Sequence, residues 1–323
     1  DVFGMRTGIR IAFALHIAGT IATLTATGFR SLFAATVLMG FGNGMVEAVC
    51  NPLVASSYPD RKVAMLNRFH LWWPAGIVIG ALTGYVIMDL AGLGWQLMVA
   101  LLLLPIAVYG YLLLGQDFPV TERVALGVSH AEALRSLGTP LYLFIAFCMV
   151  LSAATELGTT QRIESLLAAT GANALLVLAF INGIMIVGRA YAGPVAARIG
   201  TEGMLLLSSV LSLLGLWLLI GAAGSFVFAA AAVFGVGITF FWPTTLSLVA
   251  ERLPQSGAFG LSMMGGIGML SVAIVLPLIG RVLDTRSSAD ALQMLVFLPA
   301  ALTVLYGGYY LRTRREHAAE VKQ

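Results

Sequence analysis

Charge is what this chain has least of. Only 10% of its 323 residues are Asp, Glu, Lys or Arg, where ordinary soluble domains carry about 25%. A water-soluble globular surface is thereby excluded, and with 59% hydrophobic residues and a mean hydropathy of +0.94 the chain reads as a polytopic membrane protein. Cysteine is nearly absent too. Cys50 and Cys148 both fall in apolar stretches, where a thiol behaves as a small packing group, so no disulfide framework is implied. His and Cys form no pairs at metal-ligand spacing, and no Gly-rich loop ends in Gly-Lys-Ser/Thr. No metal, no cofactor and no enzyme chemistry is therefore expected, and the energy for any work must come from a gradient or a separate subunit. Short alternating segments, the mark of a membrane barrel, are missing from runs such as Leu97 to Leu114, which leaves helices.

A spanning helix needs about 20 mainly apolar residues. Ten candidates satisfy this, at 8–27, 31–57, 69–90, 94–115, 140–159, 172–196, 203–222, 225–250, 257–283 and 290–311. If the loops alternate sides, fourteen of the 18 basic residues collect on one side, among them Arg6, Arg10, Arg61, Lys62, Arg68, Arg123, Arg189, Arg198 and Arg252. Arg30, Arg162, Arg281 and Arg286 collect on the other. This asymmetry sets orientation and places both chain ends in the cytoplasm, so the net charge of +3 is topological and implies no nucleic-acid partner.

The chain repeats itself. Asp1-Val-Phe-Gly4 and Ala197-Arg-Ile-Gly200 each precede an apolar span; Phe41-Gly-Asn-Gly44 followed by Pro52 and Tyr58-Pro59 is echoed by Phe234-Gly-Val-Gly237, Pro243 and Leu253-Pro254. Two spans precede Ala197 in the second copy, so two are expected before Asp1, giving ten of twelve helices in two pseudo-symmetric halves. The division is 1–115 (helices three to six), a cytoplasmic linker 116–139 with balanced charge, 140–312 (helices seven to twelve) and a tail 313–323.

Four clusters carry chemistry. Asn43, Glu47 and Asn51 recur every four residues and share one helix face. A carboxylate at that depth is costly and usually faces a protein interior or a water-filled path. Amides around a protonatable acid suit a site that binds a hydroxyl-bearing solute and carries a proton; a structural hydrogen bond to a neighbouring helix is the plainer reading. Glu156 closes the run Leu141 to Ala154 near the extracytoplasmic end, either as a cavity-mouth residue or as an interfacial acid paired with Arg162. In Asn67-Arg68-Phe69-His70-Leu71-Trp72-Trp73-Pro74, His70 and Trp73 are candidate cavity residues, with an interfacial aromatic belt as the rival reading. The second copy places Asn182 mid-helix and replaces the acid by Phe240-Phe-Trp242-Pro243-Thr244-Thr245, so Trp242 is a candidate stacking platform, and Asn182 and Thr245 are candidate solute-binding residues beside it. Gly76, Gly80 and Gly84, and Gly265, Gly266 and Gly268, offer small faces for close helix approach.

Six helices per half, a polar central linker, cytoplasmic termini and these loop motifs resemble the major facilitator superfamily. Asp1-x-x-Gly4-x-Arg6 looks like the tail of its signature between helices two and three, and Gly188-Arg189 with Gly193-Pro194-x-x-x-Arg198-x-Gly200 looks like the second copy, with Ala197 where Asp is commoner. Gly42-Asn-Gly44, Glu47, Asn51-Pro52, Tyr58-Pro59, Lys62, Leu66-Asn67, His70 and Pro74-x-Gly76 resemble the branch of fucose/proton symporters. The resemblance implies a monomeric secondary transporter of a bacterial inner membrane, working by alternating access on a small polar solute such as a sugar. Its helix-four acid, implicated there in proton coupling, matches Glu47. Proton-driven export of amphipathic compounds, with Phe240 to Trp242 as a greasy wall, is the first alternative, and a non-transporting solute sensor the second.

Overall fold

The structure is a computed structural model that describes residues 4–320, so Asp1 lies outside the described residues. Among them the regular structure is helical throughout. Lipid offers no water to backbone amides, so each span must satisfy its own, and the sequence supplies apolar runs long enough to do so. The spans are α1 (Gly4–Leu24), α2 (Phe29–Ser57), α3 (Pro59–Met88), α4 (Trp95–Leu112), α5 (Pro140–Thr160), α6 (Ala174–Ala190), α7 (Ala192–Ile220), α8 (Phe226–Arg252), α9 (Pro254–Thr285) and α10 (Ser288–Glu316). They correspond to the ten expected stretches, with α3 starting earlier because the polar segment from Pro59 to Arg68 is helical as well, and with α6 ending at Ala190 and α7 starting at Ala192 because residues 192–199 form a helical segment of their own before Gly200. Gly200 interrupts α7 with φ 73° and ψ 170°, a backbone that favours glycine, and so turns the chain where the sequence places a loop.

Proline sets the breaks inside the spans. The ladder of α3 lapses at Leu71, three residues before Pro74, and that of α8 at Thr239–Phe240, just before Pro243. The flanking dihedrals stay right-handed helical at Leu71 (−65°, −24°) and Thr239 (−51°, −43°), so each span continues through its gap. What is lost is one hydrogen bond, because proline has no N–H to give the carbonyl four residues back.

The main core belongs to α5–α10. Phe234, Phe241, Leu246, Met264, Leu302 and Tyr306 are all buried in it, while α1 and α2 share a smaller cluster of Met5, Ile9, Ala12 and Val49. Outward faces of α2–α4 carry exposed Phe33, Ile79 and Leu104, as lipid-facing surfaces do. The glycine row of α3 is corrected by the structure. A Cβ added at Gly76 or Gly80 would meet nothing within 4 Å, whereas one at Gly84 would press on Met98, so only the far end of the row packs against another helix. The close crossing lies between α7 and α8, where Gly215 backs onto the Phe234 backbone and Gly237 onto the Ser212 backbone. A Cβ at either glycine would collide with that backbone. The connector contains helices Glu122–Ala125 and His130–Leu137, the second started by a capping box in which Glu132 takes the Ser129 amide and hydroxyl, each at 2.8 Å. Those bonds hold the Glu132 carboxyl below its ordinary pKa.

Gly237→Ala is expected to destabilise the detergent-purified protein by about 1–3 kcal/mol, the usual range for overpacking. Its apparent melting midpoint would fall, while Gly76→Ala, with open space around it, would leave the midpoint unchanged or raised.

Candidate functional site

The site is built on α2, α3, α5, α6 and α8. On α2 the four-residue spacing does bring Asn43, Glu47 and Asn51 to one face, but they divide between two networks. Asn51 Nδ2 donates to Glu47 Oε2 at 2.7 Å, and the Asn51 Oδ1 accepts from His70 Nε2 at 2.9 Å. An amide oxygen only accepts, so Nε2 of His70 carries the proton. Asn43 looks the other way. Its Oδ1 accepts from His16 Nε2 at 3.1 Å, and His16 Nδ1 lies 2.9 Å from the Tyr109 hydroxyl. The His16 ring lies over Gly42, where a Cβ would collide with it. His16 and Tyr109 escaped the sequence reading; a lone histidine within the apolar run of α1 was the available signal.

Glu47 is half-buried, with Trp242 of α8 beside it, Gly265 of α9 about one van der Waals contact away, and Arg189 close enough to act on it through space. The indole Nε1 of Trp242 is buried without a hydrogen-bond acceptor. So the acid of one copy does meet the aromatic of the other. It does so edge-on to a buried ring, not across an open stacking platform, because Trp242 is packed against Gly268 and Met149.

Two sequence expectations are overturned a few ångströms away. Glu156 is neither at a cavity mouth nor paired with Arg162; it is 3% exposed and binds Arg189, Nη2 to Oε1, at 2.9 Å. Arg189, read as part of a loop signature, is 1% exposed and stands in the interior, so it drops out of the loop charges that set orientation. The reason is its helix: α6 holds it at its inner end, Gly188 beside it lies tight against Thr239, and the guanidinium points across the bundle. Besides Glu156 it donates Nε to Thr239 O at 2.8 Å and Nη1 to His70 O at 2.9 Å. Glu156 also faces the Trp242 amide at the start of the second part of α8, while its Oε2 has no partner at hydrogen-bond distance. A charge this deep is tolerated because it is paired and bonded on every side of its fork.

The other candidates scatter. Asn182 is buried and donates to Leu178 O of its own helix at 2.8 Å. Thr245 is fully buried next to Tyr306. Trp73 is exposed and lines a cavity of about 970 Å³ between α3 and the α5–α6 region, with Ile77, Leu157, Gln161, Glu164 and Leu178. At the opposite end the first four spans and the last six are pressed together: Lys62 Nζ donates to Ala250 O at 3.0 Å, Asn67 Nδ2 to Thr244 Oγ1 at 3.3 Å, and Val63 packs with Ala192 and Met204. Of the signature residues, Gly4 takes φ 73° and Arg6 binds Asp117 and Gln116 O of the connector, each at 2.9 Å. Arg198 is exposed near the same end. Cys50 and Cys148 are free thiols, and the described residues hold no cluster of His, Cys, Asp or Glu fit for a metal.

Long apolar helices in two groups, closed at one end, hollow at the other and joined through buried ionisable groups, define a membrane transporter and not an enzyme. The chain belongs to the Major Facilitator Superfamily, whose family profile matches residues 1–258. Solved structures share the fold. An MFS transporter, FucP, in the outward conformation superposes with a TM-score of 0.78 at 15% identity, over 94% of this chain and 82% of that one. The Escherichia coli fucose:proton symporter FucP, as a point variant, gives 0.73 at 17% identity, over 94% and 83%. The human organic anion transporter MFSD10 (TETRAN) gives 0.68 at 14% identity, over 94% and 77%.

Removing one member of the buried pair, by Glu156→Gln or Arg189→Met, is expected to cost about 3–5 kcal/mol of stability. The double variant should cost less than the two singles summed. Thermal unfolding of the four proteins checks this, and strict additivity would mean that the two side chains do not interact.

Proposed function

We propose that this transporter works by alternating access and couples uptake of a small polar solute, such as a sugar, to entry of a proton held on Glu47. The carrying observation is Glu47 itself: an acid in the middle of α2, hydrogen-bonded by Asn51, which is in turn bonded by His70, and facing Trp242 across the interface between the two groups of spans. Protonation removes the charge that makes moving this group through a closed, drier state expensive. The fold it shares with a fucose:proton symporter supports the same reading.

The basic asymmetry assigns the end bearing Lys62, Arg198 and Arg252 to the cytoplasm. That end is the pressed one, and the cavity beside Trp73 and Gln161 lies at the other. The arrangement is therefore outward-facing. Asn51 and His70 hold the acid's orientation, Trp73 offers an aromatic face on the solute's way in, and Asn43, Asn182, Thr245, Trp242 and Glu156 act as supports around the path. Gly4, Arg6, Gly188 and Arg198 lie where loop and helix ends must shift between states.

In proteoliposomes with an imposed pH gradient, Glu47→Gln is expected to abolish accumulation of a transported monosaccharide while leaving exchange of labelled for unlabelled sugar across the membrane. Accumulation at the parent rate in the variant would remove Glu47 from the coupling. A panel of monosaccharides, nucleosides and organic anions would decide the solute class.

A further inference from the structure

Three side-chain bonds run from one group of spans to a backbone carbonyl of the other. Arg189 Nη1 donates to His70 O at 2.9 Å, Lys62 Nζ to Ala250 O at 3.0 Å, and Ser262 Oγ to Ala48 O at 3.3 Å, the last as the long arm of a bond shared with Ala258 O. Each of these carbonyls stands four residues before a proline: Pro74, Pro254 and Pro52. Arg189 Nε takes a fourth such carbonyl, Thr239 O, four residues before Pro243. Proline has no N–H, so Pro52, Pro74 and Pro243, each inside a helical span, leave the carbonyl four residues back without its helical donor, while Ala250 O is free because α8 ends at Arg252.

We propose that the freed carbonyls His70 O, Ala48 O and Ala250 O are the catches by which the two groups of spans hold the closed end, with Arg189 as the central pin. The chemistry favours this use. A carbonyl already bound in its ladder has little left to offer, whereas a freed one buried in the bundle must find a donor. Such a bond can also be undone. When the end opens, water replaces the donor and the helix keeps its course, because Leu71 and Thr239 already hold helical dihedrals across a gap that lacks the ladder bond. Arg189 suits the pin because its rigid fork reaches His70 O of one group, Thr239 O of the other and the Glu156 carboxylate at once. Two of the prolines, Pro52 and Pro243, are equivalent in the sequence repeat, so each copy frees a carbonyl at the same place, and only the one before Pro52 is taken across the groups.

The proposal rests on the transport reading only for its purpose and is tested apart from it. Spin labels at Asp60→Cys and Arg198→Cys, in the full chain with Cys50→Ala and Cys148→Ala, report the width of the closed end in liposomes. Pro74→Ala returns an N–H to His70 O and is expected to shift the population toward the wide distance by about tenfold, what the loss of one charge-assisted bond is worth. Arg189→Lys should do the same. Pro243→Ala performs the same chemistry on a carbonyl that Arg189 reaches within its own group, and should leave the distances unchanged. An unaltered Pro74→Ala distribution, or an equal shift in Pro243→Ala, overturns the proposal. Should Arg189→Lys fail to fold, the two proline variants decide alone. A widened Pro74→Ala end in a protein that moves no solute sinks the transport reading and leaves the catch standing.

Discussion

The structure depends on one buried cation. Arg189 joins α6 to α3, α5 and α8 through His70, Glu156 and Thr239, and every acceptor it meets would otherwise be a lone polar group in an apolar medium. Uncompensated, a charge at that depth is costly; with its fork filled it ties four helices together. Gly188 lets α6 come close enough to Thr239 for this to happen. The main core of α5–α10 then packs around that point, and the first four spans attach to it mainly at the closed end.

Glu47 stands one shell away. Its neighbours are amides and an imidazole on its own side and an indole on the other, with Arg189 acting through space. Two acids near one guanidinium make an uneven pair: Glu156 holds the direct bond and Glu47 does not. The proposal that Glu47 carries the proton rests on this difference, since the acid without a fixed cation loses less when it is neutralised. The absence of an acid in the matching stretch of α8, where Trp242 stands instead, fits a proton site present in only one copy.

Much of this was legible in the chain. Apolar runs of the right length gave the spans, the offset repeat gave the two-copy plan, and the four-residue spacing gave the pairing of Glu47 with Asn51 but not the turn of Asn43 toward His16. The readings of Glu156 and Arg189 failed for one reason. Glu156 and Arg189 lie at the ends of apolar runs, where hydropathy assigns polar residues to the interface, and only packing shows that both ends turn inward and meet. His16 was passed over because a single histidine has no periodicity to expose it, and its partners are 27 and 93 residues away.

By itself the sequence determined what local chemistry can determine: helices, because lipid leaves the backbone no other partner, and freed carbonyls, because proline has no N–H to give and a helix end leaves its last carbonyls unpaired. The tertiary structure decided who answers those carbonyls. Which donor faces His70 O, Thr239 O, Ala250 O or Ala48 O, and which acid faces Arg189, depends on how helices far apart in sequence cross, and no spacing along one helix carries that information.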